Sequence, residues 1–120
     1  MSSKDKGLNR KWLGLRNKLK EAFGKKPKDL NEVLYLIGVQ ELGKGNEEFS
    51  KEQKQDLIHI AICKVLSPSG YYEPEGHDDD GWPHWKNIKP LPHSDLLEQE
   101  VLLKNHIIEY FENEIGWNNL

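Results

Sequence analysis

Apolar residues recur at helical spacing in four separate stretches of the 120-residue chain, and this pattern constrains the fold more than any other feature. Side chains three or four positions apart share one face of a helix, so each stretch predicts a helix with a buried face. The predicted helices cover residues 8–23, 29–42, 51–66 and 94–115. Gly24, Gly43, the 67–70 run and Gly116 are typical helix ends. We therefore predict a mainly α fold, a small bundle of about four helices.

The stretch between the third and fourth helices, residues 71–93, has a different composition. It holds four of the six prolines, three of the five histidines and four of the eleven aromatic residues. Proline and glycine argue against a helix or a central strand here, although residues 70–72 and 85–88 are weak strand candidates. Burying a large apolar side chain gains about 1.5–3 kcal/mol, so we expect the aromatic residues to hold this stretch against the helices. The chain thus predicts one long ordered aromatic loop (residues 71–93).

Four aromatic side chains of this loop are predicted to form a partner-binding surface where the loop meets the helix ends. Aromatic residues are enriched in protein interfaces because they bury much area at a low cost in conformational entropy. The candidate partner-binding residues are Tyr71, Tyr72, Trp82 and Trp85.

The same loop contains a cluster of metal-ligand types, with His77, Asp78, Asp80 and His84 within eight residues. Imidazole and carboxylate together suit zinc, iron or manganese, so a divalent metal ion is the candidate cofactor. A calcium loop of the EF-hand type is excluded, because its first and twelfth positions would be Gly76 and Asn87. An acidic surface turn explains the same residues without a metal ion.

Two histidines lie three residues from a carboxylate on predicted helices, which places each pair on one helix face. The pairs are Asp56 with His59 and His106 with Glu109. Helical bundles build two-metal sites from such pairs, but satisfied histidines on solvated helix faces are the simpler interpretation.

Charge divides the chain into a basic arm (residues 1–28) and an acidic helical domain (residues 29–120). The basic arm holds ten Lys/Arg against two Asp/Glu, whereas the rest holds seven against eighteen. An amphipathic basic helix in this arm could bind nucleic acid or an anionic membrane surface, or pack on the acidic domain. The candidate anion-binding residues are Arg10, Lys11, Arg16, Lys18 and Lys20.

Several function classes find no support in the sequence. No run of about 18 apolar residues predicts a transmembrane helix, and the N-terminal residues lack the apolar stretch of a secretory signal, so we expect a cytoplasmic protein. The single cysteine, Cys63, lies in an apolar helical pattern typical of a buried residue. Neither a Gly-x-Ser-x-Gly motif nor a phosphate-binding glycine loop occurs.

The leading hypothesis is a non-enzymatic protein-interaction module, and the alternatives are a metal-dependent enzyme, such as a hydrolase, and a binder of nucleic acid or anionic surfaces.

Metal binding by the aromatic loop predicts that a divalent ion raises the melting temperature and a chelator lowers it, because a ligand bound only by the folded state stabilises that state. His77→Ala and His84→Ala are expected to abolish the shift, whereas His59→Ala would abolish it only for a site on the helices. Thermal melts of untagged protein across a panel of divalent ions measure the effect. An unchanged melting temperature with no bound metal would exclude the metal-dependent enzyme.

Overall fold

The computed structural model describes residues 3–45, 47–118 and 120, with side chains from residue 7 onward. In this part of the chain it contains four α-helices and a two-stranded antiparallel sheet, which confirms the predicted mainly α fold. The helices are α1 (Ser3–Phe23), α2 (Leu30–Leu42), α3 (Lys51–Leu66) and α4 (Leu96–Tyr110). A 3₁₀ turn (Ser67–Ser69) follows α3, and a π-helical turn (Phe111–Ile115) continues α4.

Local capping explains where α3 and α4 begin. Before α3, the Ser50 hydroxyl accepts the Gln53 backbone N–H at 3.1 Å, and the Gln53 side chain accepts the Ser50 backbone N–H at 2.9 Å. Before α4, the Asp95 carboxylate accepts the Glu98 backbone N–H at 2.8 Å. Each cap satisfies amides that have no partner within the helix, a contribution of about 0.5–2 kcal/mol. At the other end of α4, Gly116 adopts the left-handed conformation (φ 84°) that closes the π-helical turn.

The described residues form two compact units. One combines the residues up to Leu30 with Ser94–Leu120, and the other, the 31–93 unit, runs from Asn31 to His93. The predicted division at residue 28 follows charge, whereas this division follows contacts, which group α1 with α4. Residues 1 and 2 of the basic arm lie outside the described residues.

Helix α1 begins five residues earlier than predicted and buries the middle of the apolar stripe that the sequence indicates. Trp12, Leu15 and Leu19 are buried. The Lys104 ammonium of α4 lies 5.2 Å from the centroid of the Trp12 ring, and Lys11 forms an ion pair with Glu112 at 3.2 Å. The middle of the apolar face of α1 is therefore buried, whereas Phe23 at its C-terminal end is 57% exposed.

The 31–93 unit is built around α2 and α3. Its buried side chains come from these two helices and are Val33, Leu34, Ile37, Leu42, Leu57, Ile60, Ala61, Cys63, Val65 and Leu66. Gly38 lies where α2 meets α3, and a Cβ atom at this position would lie 2.7 Å from the carbonyl carbon of Leu57. The missing side chain thus permits the close packing of these two helices.

The aromatic loop contains a β-hairpin rather than two isolated strand segments. Strands β1 (Tyr72–His77) and β2 (Pro83–Asn87) pair antiparallel, with Glu73 opposite Lys86 and a bulge between Pro74 and Gly76. The hairpin extends both weak strand candidates of the sequence and joins them through a turn at residues 78–82, and it packs against α3. Pro74 and the bulge break the alternation by which a strand is recognised in a sequence.

Among the described residues, no helix has both the length and the apolar character needed to cross a membrane.

Replacing Gly38 with alanine is expected to lower the free energy of unfolding by about 1–3 kcal/mol, because the added methyl group would clash with the main chain of Leu57. Gly7→Ala is the matched control, since a Cβ atom at Gly7 meets nothing within 4 Å and alanine favours a helix by up to about 1 kcal/mol. Denaturant unfolding of both variants measures the difference. Equal unfolding midpoints for Gly38→Ala and the unsubstituted chain would contradict the close packing of α2 on α3.

Candidate functional site

A pocket of about 400 Å³ lies within the 31–93 unit, between α3 and the turn of the hairpin. The α3 side of the pocket is lined by Gln53, Asp56, His59 and Ile60. The hairpin side is lined by Asp78, Asp80, Trp82, Pro83, His84 and Trp85. Three carboxylates, two imidazoles and two indoles therefore border one concave surface, a combination able to bind a polar or cationic ligand.

Asp78 holds the turn of the hairpin together. One of its carboxylate oxygens, Oδ1, accepts the backbone N–H groups of Trp82 at 2.9 Å and Asp80 at 3.0 Å. The other, Oδ2, lies 3.1 Å from Nε2 of His84. Backbone hydrogen bonds complete the turn, from the Asp78 N–H to the Trp82 carbonyl and from the Gly81 N–H to the Asp78 carbonyl. The hydrogen bond from the Trp82 N–H, followed by those from His84 and Asp80, lowers the pKa of Asp78.

Trp82 connects this turn to the helices. Its ring packs against the buried cluster of Leu42, Leu57 and Ile60. Phe49 contacts the same ring edge to face, with ring centroids 6.1 Å apart. The turn is thus held in place by apolar contacts on one side, while its carboxylates line the pocket on the other.

Trp85, opposite Pro74 in the hairpin, has a buried indole N–H that no group accepts in the part of the chain that the structure describes. Such a donor costs about 1–3 kcal/mol when it is left unpaired. Natural proteins keep few of these groups.

The tyrosines at the start of β1 contact residues of the same unit. The Tyr72 ring packs edge to face with His59, with centroids 6.4 Å apart, and the Lys89 ammonium lies 4.2 Å from the Tyr71 ring centroid. Both tyrosines are half-buried. Of the four predicted partner-binding residues, only Trp82 and Trp85 line the pocket.

Cys63 lies one helical turn from His59, and its sulfur is 3.5 Å from the His59 Nε2 atom. The side chain is fully buried, as predicted. Burial raises the pKa of the Cys63 thiol to about 11. The thiol therefore stays protonated near neutral pH, which does not suit a nucleophile.

The four candidate metal ligands are only partly brought together. Asp78 and His84 are in contact, Asp80 lines the same pocket, and His77 lies opposite Pro83 at the end of β1. In the described ranges, no three His, Cys, Asp or Glu side chains are grouped closely enough to hold a metal ion. Metal binding by these four residues stays a prediction.

The two carboxylate–histidine pairs predicted on helices, Asp56 with His59 and His106 with Glu109, lie in different units of the structure. Asp56 and His59 join the hairpin residues at the pocket, a juxtaposition that the sequence did not predict. His106 lies in the unit that contains α1 and α4, and its Nδ1 atom is 2.8 Å from the backbone carbonyl of Leu102 on the same helix.

The five candidate anion-binding residues lie along α1. Lys11 pairs with Glu112, the Arg16 guanidinium donates to the Pro27 carbonyl at 2.8 Å, and Lys18 lies 5.5 Å from the Trp117 ring centroid. Arg10 and Lys20 are exposed. Insertion of the apolar stripe of α1 into a membrane would require it to leave its buried position first.

Comparison with protein-family models, with curated proteins and with solved structures finds no match to this chain.

Asp78→Asn is expected to lower the melting temperature near neutral pH, because it removes the charge that strengthens the hydrogen bonds of the turn. The folded-state pKa of Asp78 lies below its ordinary value of 3.8. The stabilisation is therefore complete above that pH and is lost as the pH falls through the folded-state pKa. The difference in melting temperature from the unsubstituted chain should shrink accordingly at low pH.

The neighbouring substitution Asp79→Asn is the control, since it removes the same charge from an exposed residue that does not line the pocket. Thermal melts by circular dichroism near pH 7 and near pH 2 measure both variants. Equal effects of the two substitutions at neutral pH would show that Asp78 does not hold the turn.

Proposed function

We propose that the chain is a cytoplasmic, non-enzymatic protein-interaction module whose binding face is formed by the hairpin and the part of α3 that lines the pocket. The observation that carries this proposal is the pocket between these two elements, about 400 Å³ in volume and bordered by aromatic and acidic side chains. Pockets of this size are typical of sites that receive a small molecule or a side chain of a partner.

The way in which the hairpin is held supports this proposal. Trp82 is fixed against Leu42, Leu57 and Ile60, and Asp78 fixes the turn through three hydrogen bonds to its own segment. A surface held in this manner loses little conformational entropy when a partner binds. Most residues of β1 and β2 are exposed, so the hairpin is accessible around the pocket.

Two features favour binding over catalysis. The Cys63 thiol is buried and its pKa is raised to about 11, so it is a poor nucleophile near neutral pH. Both oxygens of the Asp78 carboxylate already accept hydrogen bonds within the hairpin or lie against His84, which leaves this group badly placed to act as a general base.

A metal-dependent enzyme is the second candidate, because Asp78 and His84 lie in contact at the edge of the pocket. A metal ion bound there would have to replace the hydrogen bond between Oδ2 of Asp78 and Nε2 of His84. This competition disfavours metal binding and supports the interaction module.

The proposed binding face predicts that a photo-crosslinker on the hairpin captures one specific protein in the cells that produce the chain. We expect crosslinks with p-benzoylphenylalanine in place of Glu75 or Lys86, which are exposed hairpin residues outside the pocket lining. The same group in place of Arg10 or Lys20 on α1 is the control and should give no crosslink to that protein. Mass spectrometry identifies the captured chain.

Trp82→Ala should abolish the hairpin crosslinks, because the turn then loses its apolar contacts with α2 and α3. Circular dichroism establishes that the helices of this variant remain folded. Crosslinks from the α1 positions alone would contradict the proposal and would favour a function of the basic arm.

A further inference from the structure

Building on the proposed interaction function, we propose that the partner presents an arginine side chain and that its guanidinium group enters the pocket between α3 and the hairpin turn. The hairpin face alone does not define which type of side chain the partner presents. It follows from the charge of the pocket, from its aromatic walls and from the groups in it that lack a partner.

The pocket is negatively charged. Asp56 contributes one carboxylate from α3, and Asp78 and Asp80 contribute two from the turn, whereas the described lining includes neither lysine nor arginine. Lys44 donates to the backbone carbonyl of Asp80 and not to its carboxylate. His59 and His84 also line the pocket. A cationic ligand would meet opposite charge from both walls of the pocket.

Two of the three carboxylates are available to such a ligand. Asp78 uses its oxygens for the turn and for His84. In the described part of the chain, Asp56 and Asp80 take part in no ion pair. They approach the pocket from different elements, which suits the several N–H donors of a guanidinium group.

The aromatic walls favour arginine over lysine. Trp82 and Trp85 both line the pocket. A guanidinium group is planar, is more weakly hydrated than an ammonium group, and stacks on indole rings while its edge donates to carboxylates. An acidic pocket with indole walls therefore offers arginine two kinds of contact at once.

Trp85, which lines the pocket, also has an unsatisfied donor. Its buried indole N–H lacks an acceptor among the described residues. An arginine side chain carries no acceptor, but the peptide backbone that carries this side chain has a carbonyl at every residue. A polypeptide partner therefore carries both a cation and hydrogen-bond acceptors.

The charge of the whole 31–93 unit agrees with a basic partner. It holds six Lys/Arg and eleven Asp/Glu, a net charge of −5. Such a charge attracts basic segments over a distance and speeds their association, whereas it repels nucleic acid and anionic membranes.

The test is a titration of the ¹⁵N-labelled full chain with the blocked peptide acetyl-Gly-Arg-Gly-amide, followed by NMR at low salt. The citrulline peptide is the matched ligand control, since citrulline has nearly the same shape as arginine but no charge. We expect shifts at Trp82, Trp85 and His59, with the arginine peptide bound about tenfold more tightly than the citrulline peptide, as one charge-assisted contact allows. A lysine peptide should bind more weakly than the arginine peptide.

Two pairs of variants make the test specific to the pocket. Asp80→Asn is compared with Asp79→Asn in the turn, and Asp56→Asn is compared with Glu52→Gln on α3. Asp79 and Glu52 are exposed and do not line the pocket, so each pair removes one charge from nearly the same place. We expect the pocket variants to weaken arginine binding about tenfold and the controls to change it less than about twofold. Melting temperatures establish that all four variants are folded.

Equal binding of the arginine and citrulline peptides, equal effects within either variant pair, or tighter binding of lysine would overturn the arginine assignment. Absence of arginine binding while the hairpin crosslinks persist would also overturn it and would leave the interaction module intact. Loss of the crosslinks themselves would contradict the proposed function instead. Reduced crosslinking with Asp80→Asn but not with Asp79→Asn would support both the arginine assignment and the proposed interaction function.

Discussion

The packing of the Trp82 ring against Leu42, Leu57 and Ile60 is the contact on which the candidate site depends. An isolated two-stranded hairpin is marginally stable in water, and it needs a further apolar surface to stay folded. Trp82 supplies that surface from the end of the turn itself. Because the ring is held against the helical core, the carboxylates beside it are brought to the side of α3 and the pocket exists.

The three aspartates of the turn have different roles although they are adjacent in the chain. The Asp78 carboxylate accepts hydrogen bonds from the backbone of the turn and contacts His84. Asp80 lines the pocket without an ion pair among the described residues, and Asp79 is exposed outside it. The local hydrogen bonds of one carboxylate thus fix the position of another, which is how a rigid scaffold prepares a binding group.

The helices were predictable because the signals that form them are local. Apolar spacing and the Ser50–Gln53 capping box give α3 the bounds that the structure shows, Lys51–Leu66. The hairpin was harder to predict, since Pro74 and the bulge near Gly76 break the alternation of β1. The sequence therefore indicated two weak strand segments and an ordered loop without joining them.

The sequence by itself determined the mainly α fold, the bounds of α3 and the anchoring role of the aromatic loop. The tertiary structure decided which of the many acidic and histidine side chains share a surface. Asp56 and His59 were recognisable as neighbours because they lie within one turn of a helix, a relation set by backbone geometry. Their meeting with Asp80 and Trp85 depends on how the hairpin packs on α3, and no local rule encodes a distance between separate elements. In the same way, the basic helix α1 was visible in the sequence, but only packing decided that its apolar stripe is buried.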